Sequence, residues 1–452
     1  MTTRSQSASC GPGIAYPTVW RWHFYAGLFC IPFIVVLAVS GAVYLFKPQV
    51  EAWLDRPYDR LSIAGPAAGA DAHVKAALAA VPGTTLAAYE VPLSPNAAVR
   101  VIVQRSRDKT RVYVHPETLQ VLHIVHEDDR FMRLMFRLHG ELLIGNFGSA
   151  IVELAASWTI IMIVTGLYLW WPRQGRGLAG TLYPQLAGGG RLFWRDLHVV
   201  TGVWISCFTL FLLVSGLPWA KVWGEYFKEV RRLTGTAVVH QDWPVGAAAA
   251  VIPAAATGGH GEHGTAPGHV PLDRSPDYAT IDRLVSTVAP LDLAAPVLIS
   301  PPAGRAVHWT AKSETQNRPR RVTLTLDGAT GAVLKREGFT DRHLLDRIVA
   351  VGVAAHEGQL FGWPNQLLGL LTACGLLLIV VSGVTMWWRR RLRGSLGAPP
   401  RSPASVSWGV GALMLLFGVS FPLFAASLIL VLFVERALLR RIPGVREWLG
   451  LA

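Results

Sequence analysis

Four histidines stand at matching distances from the same small motifs, and this pattern is the strongest chemical signal in the chain. His23 is followed by Gly27 four residues on and by Ser40-Gly41 seventeen and eighteen residues on, while His198 has Gly202 and Ser215-Gly216 at the same offsets. His139 precedes Gly145, Thr165-Gly166 and Trp170-Trp171 by the distances at which His356 precedes Gly362, Ser382-Gly383 and Trp387-Trp388. Imidazole is a common metal ligand, although a lone histidine at a membrane edge also serves as an interfacial polar group. Zinc usually takes three or four N, S or O ligands. Here each pair offers two imidazoles among aromatic and aliphatic residues, with no cysteine beside them. Haem b, with two axial ligands and an apolar macrocycle, suits that setting better.

Other residues near the histidines carry two readings each. The glycines four positions after His23 and His198 permit close approach of a flat ring or of a neighbouring helix. Arg21 and Arg195 near one pair, and Arg137 and Arg342 near the other, suit haem propionates or ordinary surface charge. Glu153 is the one acid within the apolar runs, fitting a proton path, a supporting role behind a ligand, or an acid tolerated near the interface.

The elements that must position these residues are membrane spans. The chain has 452 residues, 51% hydrophobic and only 16% charged, with mean hydropathy +0.36. Soluble domains carry about a quarter charged residues. Five segments, near 24–46, 148–171, 197–219, 365–388 and 406–434, are long and apolar enough to cross a bilayer, which takes about 20 helical residues. The small residues Ala38, Ser40 and Ala42 give the first segment some likeness to a secretory signal. Its recurrence in mid-chain argues for a span.

The formal net charge of +13 raises the question of nucleic acid, but many arginines flank apolar runs, as in Trp387-Trp388-Arg389-Arg390-Arg391. The charge is therefore assigned to membrane topology, with a lipid bilayer and no nucleic acid as partner. Arg173, Arg176, Arg191 and Arg195 in one short connection, and Arg389, Arg390, Arg391, Arg393 and Arg401 in another, place those loops in the cytoplasm. Cys10 lies in the tail, and Cys30, Cys207 and Cys374 lie in apolar runs, so no disulfide framework is expected.

The expected fold class is a polytopic α-helical membrane protein with a four-helix core of two tandem repeats, a C-terminal hydrophobic segment and two α+β extracytoplasmic domains. The boundaries are a tail over 1–22, spans at 23–47, 139–172, 197–219 and 356–388, outside domains at 48–138 and 220–355, and cytoplasmic loops at 173–196 and 389–405. A fifth span or broken hairpin at 406–434, divided by Pro422, precedes a tail at 435–452. His23 and His198 then enter from the cytoplasmic face, and His139 and His356 lie at the outer face. From His139 to Trp170 is 31 residues, about 46 Å of helix. Tilt, a break at Gly145 to Gly148, or intervening aromatic side chains must reconcile that length with the bilayer.

In the first outside domain a helix over Ala72 to Val81 precedes strands at Val99 to Val103 and Arg111 to Val114 and a turn at His115 to Thr118. Residues 278–289 and 320–335 repeat the scheme, with Val322 to Leu326 before Asp327-Gly328-Ala329-Thr330-Gly331. A Gly/Ala/Pro-rich stretch at 245–268 reads as a linker, and His260, His263 and His269 in and beside it as linker residues or metal ligands.

These pieces together resemble the PepSY-associated transmembrane family, which includes iron-regulated inner-membrane proteins and ferric-siderophore reductases of Gram-negative bacteria. The carriers are Trp-Arg-Trp-His-Phe-Tyr-Ala-Gly at 20–27, Leu-His-Gly-Glu-Leu-Leu-Ile-Gly at 138–145, Leu-His-Val-Val-Thr-Gly at 197–202, His-Glu-Gly-Gln-Leu-Phe-Gly at 356–362, and the Asp327 to Leu334 end of a PepSY-like domain. The resemblance implies two haems b held by His23, His198, His139 and His356, and reduction of ferric siderophores at the periplasmic face of the bacterial inner membrane. His115-Pro116-Glu117-Thr118-Leu119 departs from the family's Asp-Pro-x-Thr-Gly turn.

The expected function is a dihaem electron conduit from a cytoplasmic or quinol donor to a ferric siderophore or other Fe(III) chelate, which loses its iron on reduction. Trp219, Trp223 and Trp363 would line the docking surface or anchor the interface. The alternatives are a PepSY-domain sensor without enzymatic activity and an iron-chelate transporter, the latter weakened by the scarcity of charge in the spans. Bis-imidazole absorption bands would separate the conduit from both.

Overall fold

The structure is a computed structural model that describes residues 16–171, 179–185, 189–236, 278, 280–303, 306–399 and 408–451. Cys10, Arg173, Arg176, Arg401 and the stretch carrying His260, His263 and His269 lie outside the described residues. In chain order the first elements are helices α1 (Tyr16–Leu45), α2 (Lys47–Leu54) and α3 (Ala70–Ala80), and strands β1 (Thr85–Glu90), β2 (Val99–Arg105), β3 (Asp108–Val114) and β4 (Val121–His126). Helices α4 (Phe131–Glu141), α5 (Gly145–Trp170), α6 (Gly190–Gly216) and α7 (Lys221–Leu233) follow. The remainder is α8 (Thr280–Val288), β5 (Val297–Ser300), β6 (Trp309–Ser313), β7 (Thr323–Leu326), β8 (Val333–Glu337), α9 (Leu344–His356), α10 (Trp363–Arg390), α11 (Trp408–Ser420), α12 (Pro422–Ala437) and α13 (Pro443–Trp448).

Among the described residues, five helices are long and apolar enough to cross a membrane: Tyr16–Leu45, Gly145–Trp170, Gly190–Trp219, Trp363–Arg390 and Pro422–Arg441. The chain divides into two compact units, one of Met1–Gly41, Leu138–Phe227 and Leu370–Ala452, the other of Ala42–Arg137 and Lys228–Gly369.

In the first unit the path from His139 to Trp170 is broken. α4 stops at Glu141, Leu142 and Leu143 take left-handed φ of 49° and 62°, and α5 starts at Gly145. Two consecutive left-handed leucines are sterically costly. Gly148 makes the bend possible, because a Cβ there would lie 1.7 Å from the Glu141 carbonyl oxygen. His139 thus sits on a short helix of its own, and the span proper is 26 residues, about 39 Å.

The C-terminal hydrophobic segment is two helices. Phe421, before Pro422, leaves helical geometry at φ −131° and ψ 79°, as residues preceding proline tend to. The freed Ser420 carbonyl accepts from the Trp223 indole at 3.1 Å, and α12 packs on α5 through Trp158, whose indole donates to Ser427. Beyond α13 the chain reaches the arginine-bearing end of α1, where the Arg21 guanidinium donates to the carbonyls of Pro399 (2.7 Å) and Gly450 (2.8 Å).

In the second unit the strands form one antiparallel sheet of order β4-β3-β2-β1-β5-β6-β7-β8. The sequence reads as two small domains; the structure joins their first strands, pairing Tyr89 with Ile299 and Glu90 with Leu298. Joining the halves removes two open edges, whose unpaired N–H and C=O groups would otherwise need cover. Helices α3 and α8 pack on one face over Val101, Val112, Ile299, Leu324 and Leu326. The other face carries a buried ionic cluster, with Arg111 between Glu90 and Glu127, and Arg100 on Asp59 (2.6 Å) and Asp55 (3.2 Å).

The two turns of the sheet match bond for bond. Asp327 Oδ1 accepts from the Thr330 amide at 2.7 Å, and Gly331 follows at φ 77°. In the first half His115 Nδ1 accepts from the Thr118 and Glu117 amides, each at 3.2 Å, and Leu119 takes φ 62°. The residue types differ while the acceptor and the left-handed position are kept.

Candidate haem site

Histidine 23 lies seven residues into α1 and His198 eight residues into α6, so both project near the arginine-bearing ends of their helices. Their ring centroids are 6.4 Å apart with planes at 89°. Both border a cavity of about 740 Å³ within the helical unit, walled by Gly27, Ile31, Ile34, Gly202 and Ile205 and by aromatic rings such as Trp20 and Trp387. Arg191, Arg195, Arg389 and Arg390 stand where the bordering helices start and end.

Each imidazole is tied at Nδ1 to a hydroxyl on a neighbouring helix. His23 Nδ1 lies 3.0 Å from Thr165 Oγ1 of α5, and His198 Nδ1 lies 3.1 Å from both Ser382 Oγ and the Ile379 carbonyl of α10. His139 Nδ1 lies 3.1 Å from Ser40 Oγ of α1. These hydroxyls give their protons to their own helices, Thr165 to the Ile161 carbonyl (2.8 Å), Ser382 to Leu378 (2.7 Å) and Ser40 to Val36 (2.6 Å). A hydroxyl has one proton, so in each pair the oxygen accepts and Nδ1–H donates. A carbonyl can only accept, which fixes the same tautomer for His198. The lone pair is left on Nε2, the arrangement a metal-binding histidine needs.

The glycine after each hydroxyl forms the floor on which the ring lies. A Cβ at Gly166 would sit 3.2 Å from His23 Cε1, at Gly41 3.0 Å from His139 Cε1, and at Gly383 3.3 Å from His198 Cε1. The His+4 glycines behave differently. A methyl at Gly27 or Gly202 would meet its nearest neighbour at an ordinary 3.5 or 3.9 Å. Helix packing therefore does not demand glycine there, whereas an added methyl would take up cavity space.

The residues present fit a haem held by two histidines. Two imidazoles on opposite sides of one metal, each bonded at about 2 Å, place their ring centroids about 6 Å apart. The observed 6.4 Å agrees. Among the described residues no cluster of three or more His, Cys, Asp or Glu offers a zinc-type alternative.

Other candidate residues have different work. Arg21 is turned away from His23, since two residues along a helix is about 200° of rotation, and it holds the Pro399 and Gly450 carbonyls. Arg195 borders the cavity but forks onto the buried Asp196 at 2.9 and 2.6 Å. Glu153 receives the amides of Val222 (2.9 Å) and Trp223 (3.0 Å), capping the start of α7 from across the unit. Trp223 caps α11 and stacks on Phe227, while Trp363 is 73% exposed. His356 is the last residue of α9, in the sheet-containing unit. The hydroxyl partners were missed in the sequence reading, although Ser-Gly and Thr-Gly appear there as part of the repeat.

The PepSY-associated TM region matches residues 20–390, more than half of the chain. The chain belongs to that family. The matched stretch of this PepSY-associated membrane protein contains His23, His139, His198 and His356. No curated protein shows a significant match to it.

Proposed function

We propose that this PepSY-associated membrane protein is a dihaem ferric-chelate reductase of the bacterial inner membrane. Electrons from a cytoplasmic or quinol donor would reach a ferric siderophore or similar Fe(III) chelate on the periplasmic side. The observation that carries the reading is the pair His23 and His198, ring centroids 6.4 Å apart, both with Nδ1 occupied and Nε2 available, beside an apolar cavity. Haem b, when bound, supplies a one-electron iron centre there. The chain's own part is to hold that iron through two imidazoles, keep water from it with the aliphatic walls, and meet the propionates with Arg191 and Arg389. By the repeat, His139 and His356 are the ligands of the second haem. Fe(II) is held by hard oxygen donors far less firmly than Fe(III), so one-electron reduction releases the metal.

We further infer that the four principal spans are two tandem halves, each of span, outside segment and span. In the proposed topology α11 and α12 form a hairpin that returns the C-terminus to the cytoplasmic side. This reading places Arg436, Arg440, Arg441 and Arg446 beside the other cytoplasmic arginines, in keeping with the charge rule. The docking of the tail on Arg21 supports it.

The test is the visible spectrum of detergent-purified protein, oxidised and dithionite-reduced, with a haem assay. About two haems b per chain with bis-imidazole bands is the expected result, followed by reduction of an Fe(III) hydroxamate chelate. Colourless protein from haem-replete cells would overturn the ligand assignment and bring the sensor and transporter readings forward.

A further inference from the structure

The same local device appears at three histidines. An imidazole from one helix rests on the glycine of a Ser-Gly or Thr-Gly pair on another, and the hydroxyl of that pair passes its proton to the carbonyl one turn back. The hydroxyl is anchored on both sides, so it cannot rotate to become a donor without giving up the carbonyl bond. Ser40 and Ser382 are almost completely buried, where water cannot replace a lost partner.

We propose that Thr165, Ser382 and Ser40 are positioning residues, each orienting one histidine through the relay Nδ1–H···Oγ–H···O=C and setting how strongly its Nε2 donates to iron. The proposal rests on haem ligation by those histidines and adds what controls it. A hydrogen bond from Nδ1–H to an oxygen already polarised by its own donor bond makes the ring more electron-rich. A more electron-rich axial ligand favours the ferric state. Removing the hydroxyl therefore raises the midpoint potential of the haem concerned, and frees its ring to rotate against the glycine floor. Thr165 and Ser382 act on opposite ligands of one haem, and Ser40 acts on the other haem, so the three positions separate into two classes.

The test uses full-length protein carrying Thr165→Val, Ser382→Ala, Ser40→Ala or the conservative Thr165→Ser. Redox titration gives the midpoint potentials, and low-temperature EPR of the ferric protein gives g-values that report ligand-plane orientation. Thr165→Val is expected to raise the potential and move the g-values of one haem, Ser382→Ala to do so by less because the Ile379 carbonyl at 3.1 Å still accepts from His198 Nδ1, Ser40→Ala to shift the other haem, and Thr165→Ser to stay at wild type. Loss of haem from Thr165→Val with retention in Thr165→Ser also supports the relay. Unchanged potentials and g-values in haem-replete Val and Ala variants overturn it, as does a Thr165→Ser protein disturbed as much as Thr165→Val. If the wild-type protein carries no haem, the parent reading fails. The relay is then decided separately by 15N-histidine NMR, in which Nδ1–H tautomers support it and Nε2–H tautomers refute it.

Discussion

The two halves of the sheet build the same turn from different chemistry. In the second half a carboxylate, Asp327, accepts the turn amide, and the Arg283 guanidinium secures the Gly328 and Ala329 carbonyls. In the first half two histidines take over. His115 Nδ1 accepts two turn amides, and His73 holds the Pro116 carbonyl at 2.9 Å from a buried position on α3. A turn needs only an acceptor at the right place and one left-handed residue, so the halves have diverged there. The proposed haem sites instead need a flat ring, a lone pair and a methyl-free floor, and the Ser/Thr-Gly pairs under His23, His139 and His198 repeat with only a Ser-to-Thr change.

The largest expected effect follows from that contrast. His198→Ala, which removes one ligand of the proposed inner haem, should lose one of the two proposed haems, roughly half of the Soret absorbance, while the other keeps its bands; equal loss of both would show that the two sites are not independent. Arg111→Met comes next. It takes their shared cation from the buried Glu90 and Glu127, leaving only Arg100 at 4.0 Å from Glu90 and Arg130 at 3.4 Å from Glu127, at a cost of about 3 kcal/mol. Thermal unfolding followed by β-sheet circular dichroism should register this as a drop in midpoint well beyond that of Arg105→Met at the sheet surface.

Acid should strain the first half before the second. Burial pushes His73 below the usual histidine value, against the raising effects of the Pro116 carbonyl and of Asp282. A folded-state value below the unfolded one means the unfolded chain binds the proton first. Stability therefore falls as pH drops below about 6.5. His73→Leu should flatten that part of the stability profile, and an unchanged slope would assign it elsewhere. A second loss comes lower. Burial alone would raise the Glu127 carboxyl, but Arg111 and Arg130 outweigh it and hold it at about 2. Its contribution is full above about 4.5 and disappears as pH falls towards 2. The smallest effect belongs to His115→Asp, which supplies the same acceptor that Asp327 provides. It should change stability by no more than about 0.5 kcal/mol at neutral pH, whereas His115→Ala should cost more; equal losses would mean the side-chain acceptor is dispensable.

The apolar helices were legible in the sequence because apolar length survives translation into structure directly. The strand patterns of both polar segments were legible from their alternation, with β3 and β7 near their expected places. Three features were not. The pairing of Tyr89 with Ile299 joins residues about two hundred positions apart, and nothing in either strand's alternation names its partner. The contact of Thr165 with His23 requires knowing which helices are neighbours. Glu153 reads as an isolated acid in an apolar run, and its purpose emerges only when the amides of Val222 and Trp223 arrive from another element.

The β1–β5 junction also sets a timetable for biogenesis. Glu90 at the end of β1 is made some two hundred residues before Leu298, so at about 5–20 residues per second the inner edge of the first half stays open for roughly 10–40 s. During that interval the nascent four-stranded piece offers a ready template for strands of other chains. A ribosome paused between the halves would prolong this period, and holding factors that cover strand edges would matter most for this protein while its second half is still being translated.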